Sequence, residues 1–449
     1  MFWLVIITVP LFWFAIDIAA TVRARQPHDD GTPEPPLEHD FTVLVPIYGQ
    51  ARYLENAEYL SEYGARAVLC TTSGESEEFY ADLRRIADYH GLSIYISPHV
   101  AMTESTKRRT GGTIRDTVVR DALVELGDRG ELGRYVVCID ADTTTPRPLG
   151  ALVAALRHTG ADFASVRLVP QTEGPMLVQL QRFEYAQAMR MRTVLPWLLS
   201  GACHVGRAEV FRAVMERHSM FFQGNDVEAG LLADQLGYVA THIPFPVDTE
   251  VPSSWKAWLR QRAAWSGGEF RLFITNSRYV LRHPFLWLYG GGITILMAGL
   301  RWWTLEARSL TFLAVIAVYF AYVTWAHWQR RNIWLLVMPF YLLFNSLVMV
   351  PVGLVWYFVM AVPEHNFGII SARRAPAGVS VGPRLAGAVR GLGLRLPGPE
   401  ELAAFDEPED LDALAVRAAL AGRASLGALA GMAGLVDALA PQRSPASSA

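Results

Sequence analysis

The sequence predicts an α/β domain, a parallel sheet covered on both faces by helices, with transmembrane helices before and after it. Three observations point there. From Phe41 onward, short apolar runs alternate with amphipathic stretches, the pattern of strands and helices stacked in layers. Of the 449 residues 51% are hydrophobic and 18% charged, with a mean hydropathy of +0.20, too apolar for an ordinary soluble chain and too charged for a wholly membranous one. Finally, the apolar run Tyr135 to Ile139 leads directly into two carboxylates, Asp140 and Asp142, where ligands of open α/β sheets gather.

The elements follow in order. Residues 1–25 are apolar at first and lack a basic leader, while Arg23 and Arg25 come after the apolar run. That order predicts an uncleaved N-terminal anchor with the following chain in the cytoplasm. Residues 26–40 are a Pro- and acid-rich linker. Within residues 41–250, strands are expected at Phe41 to Tyr48, Ala65 to Thr72, Leu92 to Ser97 and Tyr135 to Ile139. Helices are expected at Ala51 to Tyr63, Glu77 to His90 and Ile114 to Leu126. Residues 251–283 read as amphipathic interface helices. Residues 284–362 carry apolar segments at Phe285 to Leu300, Leu310 to Trp325 and Ile333 to Val362. The last is either one kinked span or a broken pair. Residues 363–449 form an Ala-, Gly- and Arg-rich tail, partly disordered.

Composition excludes some functions. The net charge is −3 and no basic run carries interleaved aromatics, so no nucleic-acid partner is expected. Cys70, Cys138 and Cys203 lack C-x-x-C spacing and read as small buried hydrophobes in a reducing compartment, not as disulfides or zinc ligands.

Several residues have the chemistry for a site. A D-x-D at a strand end suits Mg2+ or Mn2+, which bind through one or two carboxylates plus substrate phosphates. Lys107 and Arg108 either neutralise phosphate or form a solvated face. Ser200-Gly201 is either a plain turn or a place where backbone approaches a ligand. Asp226, in GNDVEAG, fits a helix start, and a carboxylate fixed there also suits a general base for a hydroxyl. In TEVPSSWKAWLRQRAAW, Gln261, Arg262 and Trp265 lie near one another across a helical turn. Arg262 has the fork to clamp phosphate oxygens and Trp265 the face to stack on a sugar. The plainer reading is an interfacial helix.

The ordered set IDADT, SG, GNDVE, TEVP and QRAAW resembles the membrane-embedded family 2 glycosyltransferases, the group of hyaluronan, cellulose and chitin synthases. The resemblance covers roughly Phe41 to Arg374. It implies a GT-A nucleotide-sugar-binding domain in which Asp140 contacts the nucleotide, Asp142 the metal, and Asp226 is the base. Gln261, Arg262 and Trp265 match the first, second and last positions of a Q-x-x-R-W motif. Departures stand beside these matches. Ala264 replaces a second arginine, Asn225 replaces an acid, no aspartate lies in Thr71 to Glu75, and Tyr48-Gly49-Gln50 replaces Tyr-Asn-Glu.

The expectation is an inverting, metal-dependent hexosyltransferase. Its donor is a nucleotide-sugar, taken as a UDP-sugar and held by Asp140, Lys107, Arg108, Gln261 and Arg262. Trp265, Ser200 and Gly201 hold the acceptor, a growing β-linked polysaccharide or a glycolipid. The resemblance further implies a multi-pass plasma-membrane protein in contact with the bilayer, with a cytoplasmic catalytic domain and an accessory export partner. The rivals are a non-processive transferase acting on a lipid or glycolipid, and a non-catalytic scaffold of an export complex.

Overall fold

The structure, a computed structural model, describes residues 15–25, 35–98, 113–170, 174–220, 224–276, 309–329 and 332–361. The chain divides into two units, Met1–Ala377 and Gly378–Ala449, and the second lies outside the described residues. So do Lys107, Arg108, the segment Phe285 to Leu300 and the tail.

Seven strands form one sheet: β1 (Phe41–Pro46), β2 (Ala67–Thr72), β3 (Ser93–Ser97), β4 (Tyr135–Ile139), β5 (Phe163–Pro170), β6 (Cys203–Arg207) and β7 (Ala240–Thr249). Their order is β3-β2-β1-β4-β6-β5-β7. The sheet is mixed, which corrects the all-parallel expectation. β6 runs antiparallel to both β4 and β5, while every other pairing is parallel. β3 and β7 are the edge strands, and the β7 prolines Pro244 and Pro246 sit at the register shift against β5, where missing N–H groups do least harm.

The described helices are α1 (residues 15–25), α2 (Ala57–Ser61), α3 (Glu77–His90), α4 (Thr113–Asp128), α5 (Leu149–Thr159), α6 (Met176–Arg192), α7 (Ala208–Met215), α8 (Asn225–Gln235), α9 (Trp255–Thr275), α10 (Ser309–Ala326), α11 (Met338–Phe344) and α12 (Val350–Ala361). The pleat divides the strand side chains between two cores. Val43, Val45, Val137 and Ile139 pack with α3, α5 and α6, whereas Leu44, Val136 and Cys138 pack with α4, α7 and α8. Period-two alternation thus buries both sheet faces.

The helix expected over Ala51 to Tyr63 is broken into a 3-10 turn (Ala51–Tyr53) and the short α2. Between them Glu55 N and Asn56 N donate to Ala141 O at 2.9 and 3.1 Å. This segment's backbone therefore serves the D-x-D loop instead of continuing a helix.

Past the sheet, Ile333 to Val362 is neither a smooth helix nor a clean pair. A 3-10 turn (Ile333–Leu336) leads to α11, and a π turn (Asn345–Met349) joins α11 to α12. Such a turn is a common cause of a kink. Among the described residues, no helix is long and apolar enough to cross a membrane.

Helix α9 is tied to the sheet domain by buried charge. Arg271, fully buried, donates to Glu228 of α8 and to Ser219. Burial works against the charge of Glu228, but Arg271 and His218 hold its carboxyl below the ordinary range. Replacing Glu228 by alanine removes the carboxylate facing a buried guanidinium. It is expected to lower unfolding stability by about 3–5 kcal/mol, measured by denaturant titration, with much of the loss recovered when Arg271→Met is added.

Candidate active site

The site is built at the carboxyl end of β4. Register pairs Ile139 with Cys203 of β6, so Asp140 lies opposite Ala202, and Asp140 N donates to Ala202 O at 2.9 Å. The antiparallel strand therefore delivers Ser200-Gly201 beside the D-x-D. Asn56 fixes the same loop through Nδ2, which donates to Asp140 O at 3.0 Å and Thr143 O at 2.6 Å. On the far side, Thr144 and Asp248 exchange two backbone hydrogen bonds.

Arg115 joins these parts. Its Nε donates to Asp140 Oδ1 at 2.8 Å, its Nη2 to Gly201 O at 2.5 Å, and its Nη1 to Asp116 Oδ1 at 3.2 Å. Asp226, in the first turn of α8, lies against the same loop. A Cβ built on Gly201 would sit 3.3 Å from Asp226 Oδ2. Arg115 thus holds Asp140 and Gly201 directly, with Asp226 packed against Gly201 and within the field of the same arginine.

Electrostatics follow from this crowding. Burial pushes the Asp140 carboxyl above its ordinary value; Arg115 opposes the rise and Asp142 adds to it. Burial also raises the Asp226 carboxyl, while Arg192 and Arg115 pull it back. Buried His204 is driven down to about 3 by desolvation first and by Arg115, so its imidazole is neutral, with Nδ1 3.1 Å from Ser200 O. Asp142 is exposed, and its Oδ1 accepts from Thr143 Oγ1 at 3.0 Å. Two close carboxylates, one solvent-facing, fit a divalent cation that takes its remaining oxygens from phosphate and water. Among the described residues, no group of three or more His, Cys, Asp or Glu is arranged to hold a metal by itself.

The other predicted residues have different surroundings. Ser200 is fully buried, its Oγ accepting from Val166 N and donating to Cys203 O. Its hydroxyl serves the fold. Arg262 is 2% exposed and donates to Glu184 Oε2 at 2.5 Å and to Gln261 Oε1 at 3.1 Å. Glu184 also accepts from Tyr341 of α11, which accepts from Trp258 Nε1. The guanidinium therefore locks α9 to α6 and α11. It also lies 4.1 Å from the centroid of Trp265, backing an indole that is 41% exposed.

Sequence reasoning missed Arg115, Asn56, Glu184 and Arg192. Arg115 left one signal: it occupies the first turn of α4, where the helix dipole disfavours a cation, and broken local rules cluster at functional sites. Arg192 Nη2 donates to Leu199 O at 3.1 Å, a contact between residues with no readable pattern.

A mixed sheet with an acidic loop at the end of its central strand fits a GT-A domain. Residues 135–362, just over half of the chain, match the family described as Glycosyl transferase family group 2. The chain belongs to that family and is a glycosyltransferase. No curated protein matches it. A solved structure titled "Crystal Structure of a Mycobacterial Protein" is similar over 51% of this chain and 73% of that one, at 12% identity and a TM-score of 0.34.

Arg115→Met should weaken binding of a nucleoside diphosphate sugar by roughly tenfold or more, the worth of one charge-assisted hydrogen bond. Calorimetric titration measures this, and an unchanged affinity would remove Arg115 from the donor site.

Proposed function

We propose that the protein is an inverting transferase that moves a sugar from a UDP-sugar to a growing β-linked polysaccharide at a membrane surface. The observation that carries this reading is the clasp of Asp140 and Gly201 by Arg115, with Asp226 packed against Gly201. The donor diphosphate lies beside Arg115 and the D-x-D. Asp226 accepts the proton of the acceptor hydroxyl as that oxygen attacks the anomeric carbon, opposite the departing diphosphate. A base with a raised carboxyl value is better matched to that proton transfer than an ordinary aspartate. A divalent cation on Asp142, when bound, would offset charge on the leaving group. Arg115 adds a fixed positive charge that needs no reorganisation during the reaction.

Trp265 supplies the stacking surface for the acceptor, held in orientation by Arg262. Gly201 brings the backbone close, and Ser200 acts by shaping that loop. Lys107 and Arg108 stay in the proposal as further phosphate contacts, and Gln261 as a donor-side contact. Arg262 enters it as a positioning residue.

Membrane association is supported by apolar side chains left open on α10 to α12, among them Leu313, Phe340, Val355, Trp356, Phe358 and Val359. Exposed apolar surface on this scale marks a lipid or protein contact. The proposed setting is the plasma membrane with a cytoplasmic catalytic domain, and an export partner is compatible with the same surface.

The test is product formation from labelled donor by wild type and Asp226→Asn, with and without EDTA. The expected result is a long β-linked product from wild type alone, lost in the variant and on chelation, with donor affinity kept in the variant. Asp226 is held above its ordinary value, so its stabilising protonation is present below the unfolded value and lost as pH rises through the folded one. Asp226→Asn should therefore also melt higher than wild type at neutral pH. Full product formation by the variant would dismiss Asp226 as the base, a single-sugar lipid product would replace the polymer reading, and activity in EDTA would dismiss the metal.

A further inference from the structure

Helix α9 is gripped on two sides. Gly268 meets the start of α8, where a Cβ on Gly224 would lie 3.2 Å from Gly268 O. Ser266 and Gly267 meet α12, where a Cβ on Gly353 would lie 2.8 Å from Gly267 N. At about 100° per residue, the face between these contacts carries Trp265 and, one turn on, Glu269. Both side chains are exposed. This face lies between the start of α8, two residues before Asp226, and α12.

Glu269 is an exposed residue whose carboxyl, among the described residues, has no hydrogen-bond or ion-pair partner. The charged groups around it are committed or of like sign. Arg271, two residues on, is paired with Glu228. Tyr357 of α12 is buried and interacts with Arg271. Asp226 lies beyond the Gly224–Gly268 contact. Burial alone pushes the Glu269 carboxyl up to about 7, as expected for an acid walled by protein yet open along one side.

We propose that Glu269 is a specificity-determining acceptor contact, its carboxylate accepting hydrogen bonds from hydroxyls of the sugar unit stacked on Trp265. The inference rests on the glycosyl transfer proposed above and deepens its acceptor side. An indole and a carboxylate four residues apart on a helix present one apolar face and one two-oxygen acceptor to the same ligand. That pair suits a sugar ring with its adjacent hydroxyls. An acidic sugar would bring a second carboxylate against Glu269, so the subsite favours neutral, hydroxyl-rich units.

The experiment compares wild type, Glu269→Gln and Trp265→Ala by calorimetric binding of cello- and chito-oligosaccharides, and by acceptor and donor kinetics across neutral pH. Glu269→Gln should weaken binding of the preferred oligosaccharide and raise acceptor KM, each by about tenfold. Its donor KM should stay within about twofold, as for a neutral surface change. Wild-type kcat/KM for acceptor should rise as pH passes through about 7, and the variant should lose that rise. Equal oligosaccharide affinity in wild type and Glu269→Gln, or no oligosaccharide binding by wild type, overturns the inference. A wild type that binds oligosaccharide with the expected split but transfers no sugar overturns the proposed function alone.

Discussion

The guanidinium of Arg115 sets the spacing on which the site depends. It holds a strand-end carboxylate, Asp140, with one arm and the carbonyl of Gly201 with another. The first belongs to the D-x-D and the second to the loop that carries Asp226 against its backbone. A rigid planar fork with several donors suits this bridging, because each bond fixes the direction of the others. A lysine would keep the charge but not the geometry.

The charge balance around that fork explains why the cluster is poised rather than inert. Three acids, Asp116, Asp140 and Asp226, share the field of Arg115, and burial disfavours the ionised forms of Asp140 and Asp226. A region of this kind favours added positive charge near Asp142 and proton uptake at Asp226. Those would meet the two demands of the proposed displacement of a diphosphate by a sugar hydroxyl. The deeper pair, Arg271 with Glu228, has no such reserve. It is fully buried and serves to seat α9 on α8, which fixes the helix start bearing Asp226.

Much of the sheet domain was legible. The strands ending at Thr72 and Ile139 and the helix from Glu77 to His90 follow from period-two and amphipathic patterning, which local sequence encodes directly. Neither β6 nor its direction was legible, because Cys-His-Val-Gly-Arg shows no apolar alternation and a five-residue strand carries no mark of its orientation. That reversal is nonetheless what brings Gly201 to Asp140. The helix expected at Ala51 to Tyr63 failed for a tertiary reason, since Asn56 is recruited by the D-x-D loop. At the site, Asp140, Asp142 and Asp226 stood out as carboxylates at strand and helix ends. The partners that orient them lie far away in sequence and leave only faint traces, such as a cation in the first turn of α4. Arg262 has the opposite lesson: its residue type suggested phosphate, while its surroundings show an ion pair with Glu184.

Helix α9 links the sheet domain to the apolar helices. One side is bound to α6 and α11 through Arg262, Glu184, Tyr341 and Trp258, another to α8 through Arg271, and the open side presents Trp265. For the proposed transfer, all of this must surround one cleft. The most direct measurement is an experimental structure of the Asp226→Asn variant trapped with a nucleotide-sugar. The diphosphate should lie within hydrogen-bond reach of Arg115 and beside Asp142, with the anomeric carbon facing residue 226. A nucleotide bound elsewhere on the sheet, or residues 142 and 226 opening into separate cavities, would contradict the proposed transfer.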